Sequence, residues 1–435
     1  MSVRGALRPG VSRRELLAWA LFDFANSGYT TVVLTAVYSA YFVAAIAGNA
    51  DWASLAWTGA LAVSSLLVMI TMPVLGVWAD ERGRRGYLLR LSTVGCVLST
   101  AALAFVGAEM LLAVLFLIVV SNYFFTIGES TVAAYLPEIA RQEAIGRVSG
   151  WGWGLGYFGG MLTLGLSLFW VLGAPSRGET AGQAVPFTML ITAFVFAVAA
   201  LPSLLMLRER AGTVRREGSP SALGLFPALG RMSQIWREAY ALVDLRRMLV
   251  LGALYQAGIS VVIALAAVYA QLVMGFTEVQ TMILIFTVNI AAAAGAFGFG
   301  YVQDYVGHRV ALAVTLIGWI AVTLLAGLGH SVGVFWIAAA LAGLCMGSSQ
   351  SAGRAMLGLL APPGRLTEYY GLWAFAGRVA AIVGPVSYGL VTWLSGGQHR
   401  WAILGTGVFF VAALFVLRGI DLDRGARVAG VDTEK

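Results

Sequence analysis

Twelve apolar runs, separated by short polar segments, constrain this chain more than any other feature of its sequence. A helix rises about 1.5 Å per residue, so roughly 20 apolar residues cross the ~30 Å hydrocarbon core of a bilayer. On that rule the sequence predicts spans at 16–47, 55–79, 88–107, 110–134, 149–172 and 187–207. After a polar stretch it predicts six more, at 247–272, 278–301, 309–329, 335–360, 369–393 and 402–418. Only Gly107, Ala108 and Glu109 divide the third from the fourth. Of the 435 residues 59% are apolar and 11% charged, whereas a soluble protein keeps about a quarter charged to wet its surface. Lipid is the solvent that suits such a chain. There every backbone polar group must be satisfied internally, which a helix achieves. The expected fold class is an all-α membrane protein.

Basic residues orient the spans. With the N-terminus inside, nearly all of the 28 Lys and Arg residues fall in cytoplasmic segments. The exceptions are Arg177 and Arg400 in outer loops and Arg354 and Arg378 within spans. Positive charge held inside predicts cytoplasmic termini and a plasma (inner) membrane protein. The net charge of +7 is spread over short segments between spans, so it points to the lipid surface and away from nucleic acid. Arg4, Arg8, Arg13 and Arg14 could open a secretory signal, but the apolar run behind them is too long for one and reads as a retained span. Cys96 and Cys345 lie far apart in apolar runs and read as small core residues. His308, His330 and His399 fall at loops without metal-ligand or catalytic-triad spacing. No metal, cofactor or enzymatic activity is implied, and no P-loop suggests direct use of ATP.

The polar stretch 208–246 divides the chain into an N-terminal half, 1–207, and a C-terminal half, 247–435. Arg215, Arg216, Glu217, Gly218, Ser219 and Pro220 give it a linker composition, and Ser233 to Arg246 could form a surface helix. The halves repeat. Gly76, Asp80, Gly83 and Arg85 recur as Gly300, Asp304, Gly307 and Arg309 at one constant offset. "AVYSA" at 36–40 returns as "AVYAQ" at 267–271, and Gly150 and Gly156 match Gly371 and Gly377. Three markers in one order argue for two six-helix bundles related by pseudo-symmetry, a transporter plan with the solute path between the halves.

The loop Gly76, Asp80, Gly83, Arg84, Arg85 has the form G-x-x-x-D-x-x-G-R-R. It resembles the signature loop of the major facilitator superfamily, and the echo at Gly300 to Arg309 is expected there too. "WALFDFANSGYTTVVLTAVYSAYF" (Trp19 to Phe42) and "LPEIARQEAIGRVSGWGWGLGYFGG" (Leu136 to Gly160) are similar to the fungal vacuolar amino-acid effluxers of the autophagy-related family and their bacterial relatives. The resemblance implies the major facilitator fold and efflux of small metabolites by a monomer. A proton or ion could drive it. In that fold spans 1, 4, 7 and 10 line a central cavity, which implies that Asp23, Glu129, Gln256 and Arg354 face it. Two departures keep proton antiport from following. Asn122 and Glu129 are the polar landmarks of span four, where many proton-coupled members carry arginine. Tyr157 stands where the antiporter glycine motif has proline.

Asp80 can accept hydrogen bonds at a neighbouring helix N-terminus, where the dipole favours an anion. Arg84 and Arg85 could pair with acids or serve only as topology anchors. Inside the spans, Asp23, Glu129, Arg354 and Arg378 each lie on the order of 10 Å from the cytoplasmic helix end at about 1.5 Å per residue. Charges at such depth usually face a cavity or a partner. Asp23, Asn26, Ser27, Thr30 and Thr31 follow helical spacing on span one, as do Asn122, Thr126, Glu129 and Ser130 on span four. Gly347, Gln350, Ser351 and Arg354 mark span ten. The Ser and Thr members could equally be helix–helix glue. Glu129 and Arg354 precede Pro137 and Pro362 by equal distances. They are expected either to meet as a latch or to receive a zwitterion, Arg354 taking its carboxylate. The substrate is expected to be a small polar solute, plausibly an amino acid. The rivals are a drug or lipid effluxer and a non-transporting sensor.

Overall fold

The computed structural model describes residues 3–48, 50, 52–210, 234 and 237–430. Among them twelve helices are long and apolar enough to span a membrane. The first six are α1 (Arg13–Ile46), α2 (Ala53–Arg82), α3 (Arg85–Phe105), α4 (Ala108–Ile139), α5 (Gln142–Leu172) and α6 (Gly182–Met206). The second six are α7 (Val243–Met274), α8 (Gln280–Val306), α9 (His308–Leu328), α10 (Val332–Leu360), α11 (Leu366–Leu394) and α12 (His399–Arg418). A short helix, α13 (Leu422–Val428), follows. The linker at 215–220 and most of the proposed surface helix lie outside the described residues; 237–241 are helical and end just before α7.

Helices outrun the apolar stretches because hydropathy marks only the part in hydrocarbon, whereas winding continues to a cap. Gly83 ends α2 in the left-handed region (φ +60°), a conformation that costs glycine little. Reciprocal capping boxes start α6 at Thr180 and Gln183 and α8 at Thr277 and Gln280. The α3–α4 junction is a tight reversal through extended Val106 and Gly107. Within α1 the winding widens to π type over Thr30–Ala36. Ser27 and Thr31 still face α5, where a Cβ at Gly156 or Gly160 would come within 2.9 and 2.8 Å of their hydroxyls.

Packing is repeated as well. In the first bundle α1 packs on α5 and α6, α2 on α4, and α3 on α4 and α6. In the second, α7 packs on α11 and α12, α8 on α10, and α9 on α10 and α12. Each pair has its counterpart six spans later. Large side chains such as Trp19, Trp319, Tyr255 and Phe410 are fully buried, while Leu112, Phe169, Phe194 and Phe415 face outward. Apolar residues on both sides of the helices are what a lipid exterior allows.

The face of the molecule that carries both chain ends is bound by polar contacts. Residues Val3–Ala6 wind once, and the backbone then pairs with the α4–α5 connection: Arg8 N–H donates to the Ile139 carbonyl (3.0 Å) and Arg141 N–H to that of Ala6 (3.0 Å). After α6, Arg210 bonds both carboxylate oxygens of Glu15 at 2.6 Å, hydrogen bonds that raise its pKa above the ordinary value. On the other bundle, Arg424 of α13 pairs with Asp244 at the start of α7 (2.6 Å).

Candidate functional site

Two interfaces close the bundles against each other on that end face, and they are copies. Gly76 of α2 lies against the start of α11, where a Cβ would come within 2.8 Å of the Glu368 Cα and N. Four residues on, Asp80 accepts from the Glu368 N–H (3.1 Å). Gly300 of α8 lies against the start of α5, where a Cβ would come within 2.8 Å of the Arg147 Cα. Four residues on, Asp304 accepts from the N–H groups of Gly146 (3.0 Å) and Arg147 (3.3 Å). Each aspartate thus sits on the N-terminal turns of a helix in the opposite bundle, where unpaired N–H groups and the helix dipole favour an anion.

The cationic partners break the symmetry. Asp304 pairs directly across the bundles with Arg147 (2.9 Å). Asp80 is held by Arg85 of its own loop (2.6 Å), and Arg85 also bonds Glu138 at the end of α4. Arg84 is exposed, and Arg309 donates to the Arg418 carbonyl (2.6 Å) instead of meeting an acid. Gly307 adopts φ +89° between α8 and α9.

Deeper in, the four charges within the spans converge. Trp19, Asp23 and Asn26 share one face of α1 by helical spacing. The Trp19 indole donates to the Val132 carbonyl (2.9 Å), which fixes its ring beneath Arg354 (4.7 Å from the ring centroid). Arg354 binds Asp23 at 2.6 Å, the Ser149 hydroxyl at 3.1 Å and the Ser149 carbonyl at 2.8 Å. Trp153 covers it at 5.5 Å. Gly152 makes the room, because a Cβ there would come within 2.7 Å of the Arg354 Nη2. The pair joins α1 to α10 across the bundles, and both residues are buried. Arg378 of α11 donates to the Thr126 hydroxyl of α4, and Glu129 stands one turn further along α4.

The expected meeting of Glu129 with Arg354 does not occur. Pseudo-symmetry relates α4 to α10, so equivalent positions on the two face different neighbours: α10 meets α5, and α4 meets α11. Arg354 therefore goes to Asp23 and Ser149, and Glu129 lies by Arg378. Asn122 turns into its own bundle and donates to Ser64 (3.0 Å). Gln256 and Gln350 exchange hydrogen bonds within the second bundle (2.7 and 3.2 Å). Asn26 is buried, and its side-chain amide has no hydrogen-bond partner among the described residues. Sequence reasoning missed Trp19, Ser149, Glu138, Arg147 and Glu368. Trp19 stands one helical turn before Asp23, which is a readable signal. The others act through contacts that no spacing reveals.

The hydrogen bonds that join the bundles at Asp80, Asp304, Ser149, Trp151, Arg354 and Arg378 fall between mid-span and the end face. Two six-helix bundles locked at one end around a central set of opposite charges define a secondary transporter of the major facilitator class. Residues 42–430 match the family described as vacuole effluxer Atg22 like, and the chain belongs to that family.

The chain is 26% identical over 405 residues to the uncharacterized MFS-type transporter YxiO of Bacillus subtilis, covering 92% of this chain and 93% of that one. It is 27% identical over 305 residues to autophagy-related protein 22-1 of Penicillium rubens, covering 65% of this chain and 50% of the fungal one. The chain thus spans about half the length of that fungal relative. Among solved structures, the human organic anion transporter MFSD10 is similar with a TM-score of 0.75 at 19% identity, over 93% of this chain and 99% of that one. The E. coli fucose:proton symporter FucP gives 0.67 at 14%, over 94% and 98%. These structural likenesses show the fold.

Proposed function

We propose that this chain exports small metabolites carrying both a positive and a negative charge, with amino acids as the cargo class. The halves 1–207 and 247–435 rock about the central charges, joined by the 208–246 linker. Arginine placement supports cytoplasmic termini in a plasma (inner) membrane. On that orientation the locked end face is cytoplasmic, and this conformation opens outward. Asp80 and Asp304, seated on helix N-termini of the opposite bundle, act as the latches of this state, and inward opening unseats both. The protein works as a monomer, driven by a proton or another ion.

One observation carries the reading: the centre holds two acids, Asp23 and Glu129, and two bases, Arg354 and Arg378, drawn from both bundles. A charge near mid-membrane costs about 2.5–3.5 kcal/mol on insertion scales and is retained for function. A site for an organic cation should be net acidic, and one for a phosphate ester net basic. A balanced site favours a molecule that carries both charges. Membership in an effluxer family supports outward movement. The test is a flux screen in sealed inside-out vesicles containing the purified protein. Labelled neutral amino acids should accumulate; accumulation of a hydrophobic dye with no amino-acid movement overturns the reading.

A further inference from the structure

Resting on the zwitterion reading, we propose that the cargo sits between Glu129 of α4 and Arg378 of α11, whereas Asp23 and Arg354 form a gate bond that never holds cargo. The two pairs differ in what they have left to give. A guanidinium has five N–H donors in a fixed fork. In Arg354 three of its hydrogen bonds go to Asp23 and Ser149, and Trp19 and Trp153 lie over it. Both members are buried. A cargo carboxylate would have to displace a 2.6 Å ion pair from a pocket already shaped around it by Gly152.

Glu129 and Arg378 are the reverse. Both are half-buried. Arg378 donates to the Thr126 hydroxyl alone, and Glu129 makes no hydrogen bond among the described residues. The Thr126 hydroxyl that holds Arg378 stands one helical turn before Glu129, yet the two charges form no ion pair. They sit on helices of opposite bundles, α4 and α11, brought together at Thr126 without closing on each other. An α-amino acid carries its ammonium and carboxylate close together, so one molecule can meet both charges. Arg378 can take the carboxylate with two parallel N–H bonds, the strongest geometry available to a guanidinium. The free Glu129 oxygens can take the ammonium. Cargo so placed ties α4 to α11, and therefore one bundle to the other. Binding then favours a closed centre without consuming the Asp23–Arg354 bond.

Binding of a labelled mixture of the protein amino acids to detergent-purified protein tests this, with gel filtration to verify folding. Glu129→Gln and Arg378→Gln should each weaken binding at least tenfold, while Asp23→Asn and Arg354→Gln keep binding and lose vesicle flux. A merely structural role is separated by competitors. Wild type should reject amino-acid methyl esters and N-acetyl amino acids. Arg378→Gln should bind the ester as well as the free acid, and Glu129→Gln the N-acetyl compound as well as the free amine. Normal binding in both Glu129→Gln and Arg378→Gln with loss in Arg354→Gln moves the seat to Arg354: the assignment here fails while the zwitterion reading stands. Wild-type protein that binds none of the mixture overturns both.

Discussion

Adding one methyl group at Gly76 or Gly300 should push the transporter out of the conformation described here. A Cβ at either position meets backbone atoms of the opposite bundle at 2.8 Å, Glu368 in one case and Arg147 in the other. Ordinary carbon contacts need about 3.5–4.0 Å. Backbone cannot rotate aside as a flexible side chain can, so the bundles must separate by several tenths of an ångström. That separation also stretches the hydrogen bonds that Asp80 and Asp304 accept four residues away. Overpacking of this kind costs about 1–3 kcal/mol. The gain in helix propensity from Gly to Ala, about 1 kcal/mol, applies to both conformations and cancels. The clash exists only while the end face is closed, so Gly76→Ala and Gly300→Ala should each shift the equilibrium toward the open face by about 5- to 150-fold.

The readout is a cysteine at Ala355, a fully buried α10 residue packed among first-bundle side chains, with Cys96 and Cys345 replaced by alanine. A membrane-impermeant maleimide applied from the side of the chain ends should label the alanine variants faster than the parent by that factor, and the double variant fastest. Unchanged or slower labelling in both variants would refute the reasoning.

Two further outcomes follow from the charge pairs and the arginine distribution. Asp23→Asn or Arg354→Gln alone strands a buried charge at a cost of about 3–5 kcal/mol, so each should impair flux and thermal stability. The exchanged pair Asp23→Arg with Arg354→Asp should recover part of the melting temperature, and no recovery in folded protein counts against direct pairing. Reporter fusions should place the N-terminus, the 208–246 linker and the C-terminus on the cytoplasmic side, with Arg177 and Arg400 outside; periplasmic access to the linker overturns the proposed orientation.

Features that depend on neighbours along the chain were legible before any coordinates. The twelve spans follow from the length of apolar runs, because crossing hydrocarbon is a one-dimensional requirement met by consecutive residues. The repeat of Gly76 and Asp80 in Gly300 and Asp304 announced two copies of one structural unit. That Asp23, Glu129, Arg354 and Arg378 lie inside their helices, away from both ends, followed from counting residues.

Which charges meet was decided in three dimensions. The bundles' relative rotation sets α10 against α5 and α4 against α11, and that rotation has no period in sequence. It took Arg354 from Glu129 to Asp23, put Trp19 and Ser149 around it, and left buried Asn26 without a hydrogen-bond partner among the described residues. It also made the two aspartate contacts unequal, with an ion pair across the bundles at Asp304 and one within its own loop at Asp80. The sequence repeat extends from the aspartates to Arg85 and Arg309, yet Arg85 binds Asp80 whereas Arg309 turns to the Arg418 carbonyl and leaves Asp304 to Arg147. Spans and depths are local properties of one helix, whereas a pairing belongs to two helices and exists only once both are packed.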